Sequence, residues 1–257
     1  LDKNTRAKNP RYPFFSMSPY TTNVIHLRNP WVTAWWAAAF PGFGHILLGN
    51  YIIGFVLIGW EILVNFHANI NTGILYSLTG RFDSAKEVLD RRELLIYIAV
   101  YVFSIWDSWR RTADYNKLCF LSEKEFPPVA LVSMNPAEIN CLDKKSPWTC
   151  ALWSLLMPGL GHLYIHRLAT GFLILILWIA ATCHSHLLEA VHHTFTGNFS
   201  AAAAVADPEW LLFMPSIYGF SVYCAYVYAV EFNKVFDREQ ARFLKENYQE
   251  PGFPMPL

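Results

Sequence analysis

Pro41-Gly42-Phe43-Gly44-His45 decides how this chain is read, because it returns as Pro158-Gly159-Leu160-Gly161-His162. The displacement is 117 residues, and it holds without a gap over residues 30–117. Within that window 25 of 88 positions are identical in the second copy, starting with Pro30-Trp31 and Pro147-Trp148. A duplication of this kind in so apolar a chain predicts a membrane protein with internal pseudo-symmetry.

Composition points the same way. The 257 residues are 54% hydrophobic and 16% charged, with ten Trp, which exceeds ordinary globular usage. Twenty basic and twenty acidic residues cancel, so no global field attracts nucleic acid, and none is expected as a partner. Five cysteines (Cys119, Cys141, Cys150, Cys183 and Cys224) form no CxxC pair and fall mostly in or beside apolar segments. That argues against a disulfide framework or a zinc ribbon. The first twenty residues are polar, basic and interrupted by proline, so no cleavable signal peptide is expected there. Leu1 predicts that a short N-terminal piece precedes it.

Each copy holds three apolar stretches. The first, residues 31–40 and 148–157, is closed by the Pro-Gly-x-Gly-His turn. Such a helix covers about 15–17 Å, roughly half of a hydrocarbon core. Proline and two glycines then force the chain to turn. A half-inserted helix is expected, with its non-helical backbone buried in protein or lining a wet cavity. The second stretch, residues 51–66 and 168–183, is long enough to cross, and Gly54 and Gly171 permit close helix approach. The third, residues 94–109 and 211–226, crosses back, and each copy closes on Asn-Lys. The expected class is an all-α polytopic membrane protein of two tandem repeats, each a short half-inserted helix plus two spanning helices.

Charge placement predicts orientation. Basic residues gather in the N-terminal arm (Lys3, Arg6, Lys8, Arg11, Arg28), in the connector around Arg110 to Lys145, and in the tail. The loop at residues 184–210 has no Lys or Arg at all. By the positive-inside rule the termini and connector are cytoplasmic and the loops external, which requires two spans per copy. An even number gives both copies one orientation, related by a pseudo-two-fold along the membrane normal. The expected organisation is a cytoplasmic arm (1–29), membrane repeat 1 (30–117), a cytoplasmic connector (118–146), membrane repeat 2 (147–234) and a cytoplasmic tail (235–257). The tail's proline-rich run at 251–256 reads as extended. The expected location is the cell (inner) membrane, as a multi-pass protein whose first partner is the lipid bilayer.

His45 and His162 are the sharpest candidates for chemistry, with Gly42, Gly44, Gly159 and Gly161 shaping their turns. Two imidazoles facing across the pseudo-axis would bind a transition metal, hold a haem or relay protons. The alternative is that each caps carbonyls of a broken helix. Glu61 joins this central polar site as a carboxylate inside an apolar span, either as a proton or cation ligand or as a neutral acid bonded to a helix neighbour. Asp107 is expected to pair with Arg110 or Arg111. A separate His-rich loop offers His184, His186, His192 and His193, with Glu189 between them, as ligands for zinc or copper. A solvated loop is the alternative, and in the first copy only His67 matches, opposite His184. No phosphate loop, HExxH, GxSxG or CxxC motif is present.

The run from Pro158 to Tyr164, followed by Gly171-Phe172 and a span, resembles the small two-transmembrane-helix domain family. The likeness covers about thirty-five residues per copy. It implies a short first helix, a Gly-x-Gly turn and a second span. This chain departs in adding a third apolar stretch, and His166 stands where that family would have Gly. The whole chain looks like a duplicated bacterial membrane protein. The expected role is non-enzymatic: a small-solute or ion transporter or channel, or a membrane-complex subunit with a protein partner or a second copy. The competing roles are a metal- or haem-binding redox protein, and a metal sensor using the outer His-rich loop.

Overall fold

The computed structural model describes residues 11–125, 127 and 129–249. Lys3, Arg6, Lys8 and the proline run at 251–256 lie outside the described residues. The chain is mostly helical. It opens with an antiparallel hairpin of β1 (Phe15–Met17) and β2 (Thr22–Val24), Phe15 facing Val24. Six helices follow: α1 (Pro30–Ala39), α2 (Phe43–Leu47), α3 (Tyr51–Ala68), α4 (Ile70–Leu78), α5 (Phe82–Val88) and α6 (Arg91–Glu125). A second hairpin, β3 (Val132–Met134) and β4 (Ile139–Cys141), precedes α7 (Pro147–Leu156), α8 (Leu160–Tyr164), α9 (Leu168–His184) and α10 (Leu187–Phe195). The series ends with α11 (Phe199–Val205), α12 (Pro208–Leu211) and α13 (Met214–Asn247).

The starts of these elements keep one spacing: Phe15 and Val132, Pro30 and Pro147, Tyr51 and Leu168, and Arg91 and Pro208 all stand 117 residues apart. The segment 118–146, read above as a linker, therefore contains the end of α6 and a hairpin in the same place as β1–β2.

Local chemistry explains the repeated shape. Asn29 caps α1 by accepting from the Trp31 amide, and Ser146 caps α7 by accepting from the Thr149 amide, each with proline in the first turn. Phe40 and Met157 are extended, as residues before proline prefer. Gly42 and Gly159 then take φ of 100° and 102°, which only glycine adopts freely. All eight described residues with positive φ fall into four such pairs: Gly42 with Gly159, Gly49 with His166, Asn69 with His186, and Gly80 with Gly197.

The core lies where α1 and α2 meet α13. Phe43 stacks on Phe40 at 4.5 Å and on Phe220 at 4.3 Å, and Trp36 meets Phe220 at 5.4 Å. Among the described residues two helical segments are long and apolar enough to cross a membrane: α3, and residues Pro208–Asn247 spanning α12 and α13. The bent pair α9 and α10, turned by 57°, makes a third if it counts as one span. The expectation of four such segments is met only this far. The apolar stretch at 94–109 is enclosed by Arg92 and Glu93 on one side and by Arg110 and Arg111 on the other, and contains Asp107, so α6 carries too much charge to qualify on composition.

Candidate functional site

The Pro-Gly-x-Gly-His turns are filled by their own main chain. A Cβ on Gly42 would stand 2.5 Å from the Gly54 carbonyl oxygen, and one on Gly159 would stand 2.7 Å from that of Gly171. A Cβ on Gly44 would stand 2.7 Å from the Thr33 carbonyl oxygen, and one on Gly161 would collide with the Cys150 carbonyl and the Ser154 hydroxyl. The hydroxyl oxygens of Ser104 and Ser221 accept the Gly42 and Gly159 amides at 3.4 and 3.0 Å. These glycines let a broken helix seat directly on the next one.

The two histidines have different surroundings. His45 is fully buried, and its Nε2 lies 3.0 Å from Oδ2 of Asp107. Asp107 also accepts from Arg110 at 2.7 Å and Arg111 at 2.6 Å, so one carboxylate gathers three donors. Helical spacing achieves this, because Arg110 and Arg111 stand one turn beyond Asp107 on α6. At the matching position the second half has Cys224. His162 is equally buried, and among the described residues neither of its ring nitrogens has a hydrogen-bond partner. Its charged neighbour is Arg167, fully buried, which lies 3.5 Å over the Tyr228 ring and donates to the Tyr51 hydroxyl at 2.9 Å. Tyr228 in turn donates to the Leu47 carbonyl at 2.8 Å.

Among the described residues His45 and His162 therefore share no hydrogen-bond partner. Glu61 belongs to neither. Its Oε1 accepts from Asn65 at 2.9 Å and from Tyr97 at 3.3 Å. Tyr97 precedes Asp107 by ten residues on α6, about 15 Å along the axis. Asn65 continues into Asn71, which donates to the Glu209 carbonyl at 2.8 Å, while the Thr72 amide donates to Glu209 Oε1 at 2.7 Å. His45, His162 and Glu61, expected to share one polar site, thus have different hydrogen-bond surroundings.

The His-rich loop does not converge either. His184 stacks on Trp210 at 4.7 Å, His186 sits in the left-handed region at φ 53° beside Glu189, and the rings of His192 and His193 are 6.0 Å apart. Among the described residues no group of three or more His, Cys, Asp or Glu is placed to hold a metal ion. His166 replaces a glycine in the left-handed region at φ 58°, and its Nε2 bonds to the Pro19 carbonyl at 2.6 Å.

Sequence reasoning missed Arg167 and a polar cleft. Arg167 was legible as one of three coordinated changes between the halves: Asn50 to Arg167, Asp107 to Cys224 and Arg111 to Tyr228. The cleft, of about 270 Å³, is lined by His26, Cys119, Glu123, Glu231, Lys234 and Arg238 among others. Burial, aided by Arg28 and Lys234, lowers the His26 pKa to about 3. Glu231 lies 3.7 Å from His26 Nδ1, but its other oxygen is already held by Lys234 at 2.7 Å. Burial, then Glu123, pushes the Cys119 thiol up. No pattern in the sequence joins His26 to residues some two hundred positions later. No protein-family model matches the chain, and neither a curated protein nor a solved structure matches it.

Proposed function

We propose that this is a multi-pass protein of the cell membrane, built from two tandem copies of one unit, and that it serves as a non-enzymatic subunit of a membrane complex. Each unit is read as a half-inserted helix (α1, α7) followed by two spanning helices, with both termini and the 118–146 connector in the cytoplasm. Ten-residue helices reach about 15 Å, half of a hydrocarbon core. Their outer faces carry Trp31, Trp35, Trp148 and Leu152, all exposed. Exposed apolar surface of this extent suits lipid or partner helices and not water.

The observation that carries the subunit reading over a transporter is the packing of the two Gly turns. The carbonyls of Gly54 and Gly171 lie directly against Gly42 and Gly159, leaving no room there even for a methyl group, and Asp107 and Glu61 are engaged by their own neighbours. Polar groups committed in this way position helices. The metal-dependent reading has less behind it, since among the described residues no group of three or more His, Cys, Asp or Glu is placed to hold a metal ion.

Two native cysteines test the topology. Cys141 and Cys183 are exposed, one in the hairpin and one at the far end of α9. In intact cells a membrane-impermeant maleimide is expected to label Cys183, and to label Cys141 only after permeabilisation. The reverse pattern, or release of the protein from membranes by alkaline carbonate, rejects the reading.

A further inference from the structure

The contacts between the two halves are one-sided. Phe213, at the N-cap of α13, and Ser216, Phe220 and Tyr223 on it cover the first half: Phe220 is fully buried, stacked on Phe43, and Trp36 packs on Tyr223 at 5.3 Å. Ser216 donates to the Ala39 carbonyl at 2.9 Å, and Phe213 meets Phe40 at 5.3 Å. A two-fold arrangement would repeat each contact with the halves exchanged. The exchanged partners of Phe220 and Phe43 are Phe103 and Leu160, and those of Tyr223 and Trp36 are Trp106 and Trp153. Yet Phe103 is 48% exposed, Trp106 56% and Trp153 44%.

Both sides of one interface are thus present a second time and left uncovered. The first half shows Ile96, Phe103 and Trp106 on α6, the counterpart of the covering face. The second half shows Trp153, Leu156 and Tyr164, the counterpart of the covered face. The aromatic trio is retained: Trp36, Phe220 and Tyr223 correspond to Trp153, Phe103 and Trp106.

Charge adds a second, independent match. At the external end of the existing interface the Thr72 amide meets the Glu209 carboxylate. The residues 117 positions away are Glu189 and Arg92. Repeating the interface would bring the exposed Arg92 against the exposed Glu189, opposite charges at the same end.

We propose that a second copy of this chain covers these faces, α6 of one molecule packing on α7 and α8 of the next by the same head-to-tail contact that joins the halves within a molecule. Contacts of this type close into rings or run on as open arrays. Units held upright in one membrane turn about its normal, so the arrangement is a ring. Its smallest form is two chains, a ring of four units. The inference rests on the reading of the chain as two tandem membrane units.

Differently tagged chains carrying Phe103→Cys and Trp153→Cys, each also Cys141→Ser and Cys183→Ser, would be co-expressed and mildly oxidised in native membranes. A mixed disulfide is expected, well above that from Ile52→Cys with Trp153→Cys, since Ile52 is 81% exposed on another helix. In nanodiscs the intact protein is expected to run as two or more chains. Arg92→Glu or Glu189→Arg alone should weaken association about two- to fivefold, the range of one exposed ion pair, and the two together should restore it. A monomer in nanodiscs, with no mixed disulfide above the control, overturns the proposal and leaves lipid on these faces. Trp36→Cys with Tyr223→Cys in one chain separates the two failures. If that internal disulfide forms while the intermolecular one does not, only the assembly is wrong. If neither forms, the packing of the tandem units is wrong as well.

Discussion

Asn116 and Arg28 clasp each other through two hydrogen bonds. The Arg28 amide donates to Asn116 Oδ1 at 3.0 Å, and Asn116 Nδ2 donates to the Arg28 carbonyl at 2.8 Å. Asn233 and Lys145 repeat the clasp at 2.9 and 2.7 Å. Each pair ties the segment entering the short helix to the long helix that ends the same half.

Replacing either asparagine removes both bonds and leaves a main-chain N–H and C=O without partners. Asn116→Ala and Asn233→Ala are each expected to cost about 1–3 kcal/mol, read as a lowered midpoint of thermal unfolding in mild detergent. Because the two clasps share no residue, the double variant should show nearly the sum of the two losses.

Asp107 gathers His45, Arg110 and Arg111. Asp107→Asn takes the carboxylate from Arg111 and leaves Arg110 with Asp114 alone. Full loss of a buried pair costs about 3–5 kcal/mol, but both arginine side chains are partly exposed, so about 2–3 kcal/mol is expected. Cys224→Ala, at the matching position of the second half, should cost less, since its thiol accepts one weak bond from Arg167 Nη1, at 3.5 Å, where Asp107 holds charged groups. Equal losses in parallel denaturation curves would contradict this asymmetry.

Gly42→Ala and Gly159→Ala place a Cβ against a backbone carbonyl and force an L residue into the left-handed region. The conformational strain is about 1–2 kcal/mol and the overlap about 1–3 kcal/mol more. Both variants should fall in yield and stability. Gly59→Ala is the control, because nothing lies within 4 Å of its Cβ position. It is expected to be neutral or slightly stabilising by helix propensity.

His26 gives a pH dependence of definite sign. Its folded pKa of about 3 lies below the unfolded value of 6.5, so the unfolded chain binds the proton more readily. The contribution is fully present above pH 6.5 and is lost as pH falls from 6.5 towards 3. Its size is on the order of 2–4 kcal/mol. His26→Gln should flatten this acid limb of the stability profile while leaving the carboxylate losses at lower pH in place. An unchanged limb in urea titrations at pH 7 and pH 4.5 would show that His26 does not contribute to it.

The short helices and their turns were readable because their causes are local. Pro41 and Pro158 stop a helix, and the glycines beside them supply the positive φ, whatever lies around them. The hairpins were overlooked although Ser16-Met17 and Pro19 recur as Ser133-Met134 and Pro136, with Asn23 and Asn140. Three-residue strands carry too little hydrophobic periodicity to stand out from a linker. The surroundings of the two histidines were not legible, for another reason. The two Pro-Gly-x-Gly-His turns look alike in sequence, but His45 takes its partner from α6, 62 residues on. In the second half the matching residue of α13 is Cys224, and Arg167 stacks on a ring instead.

By itself the sequence determined the repeat spacing, the apolar segments and the places where helices start and break, since proline, glycine and capping residues act within a few positions. Only the tertiary structure decided which carboxylate faces His45, why Asn116 and Asn233 are both kept, and that Phe220 is buried while Phe103 is exposed. Those outcomes depend on groups brought together from distant positions, and identical residues in two copies acquire different neighbours as soon as the copies pack on each other asymmetrically.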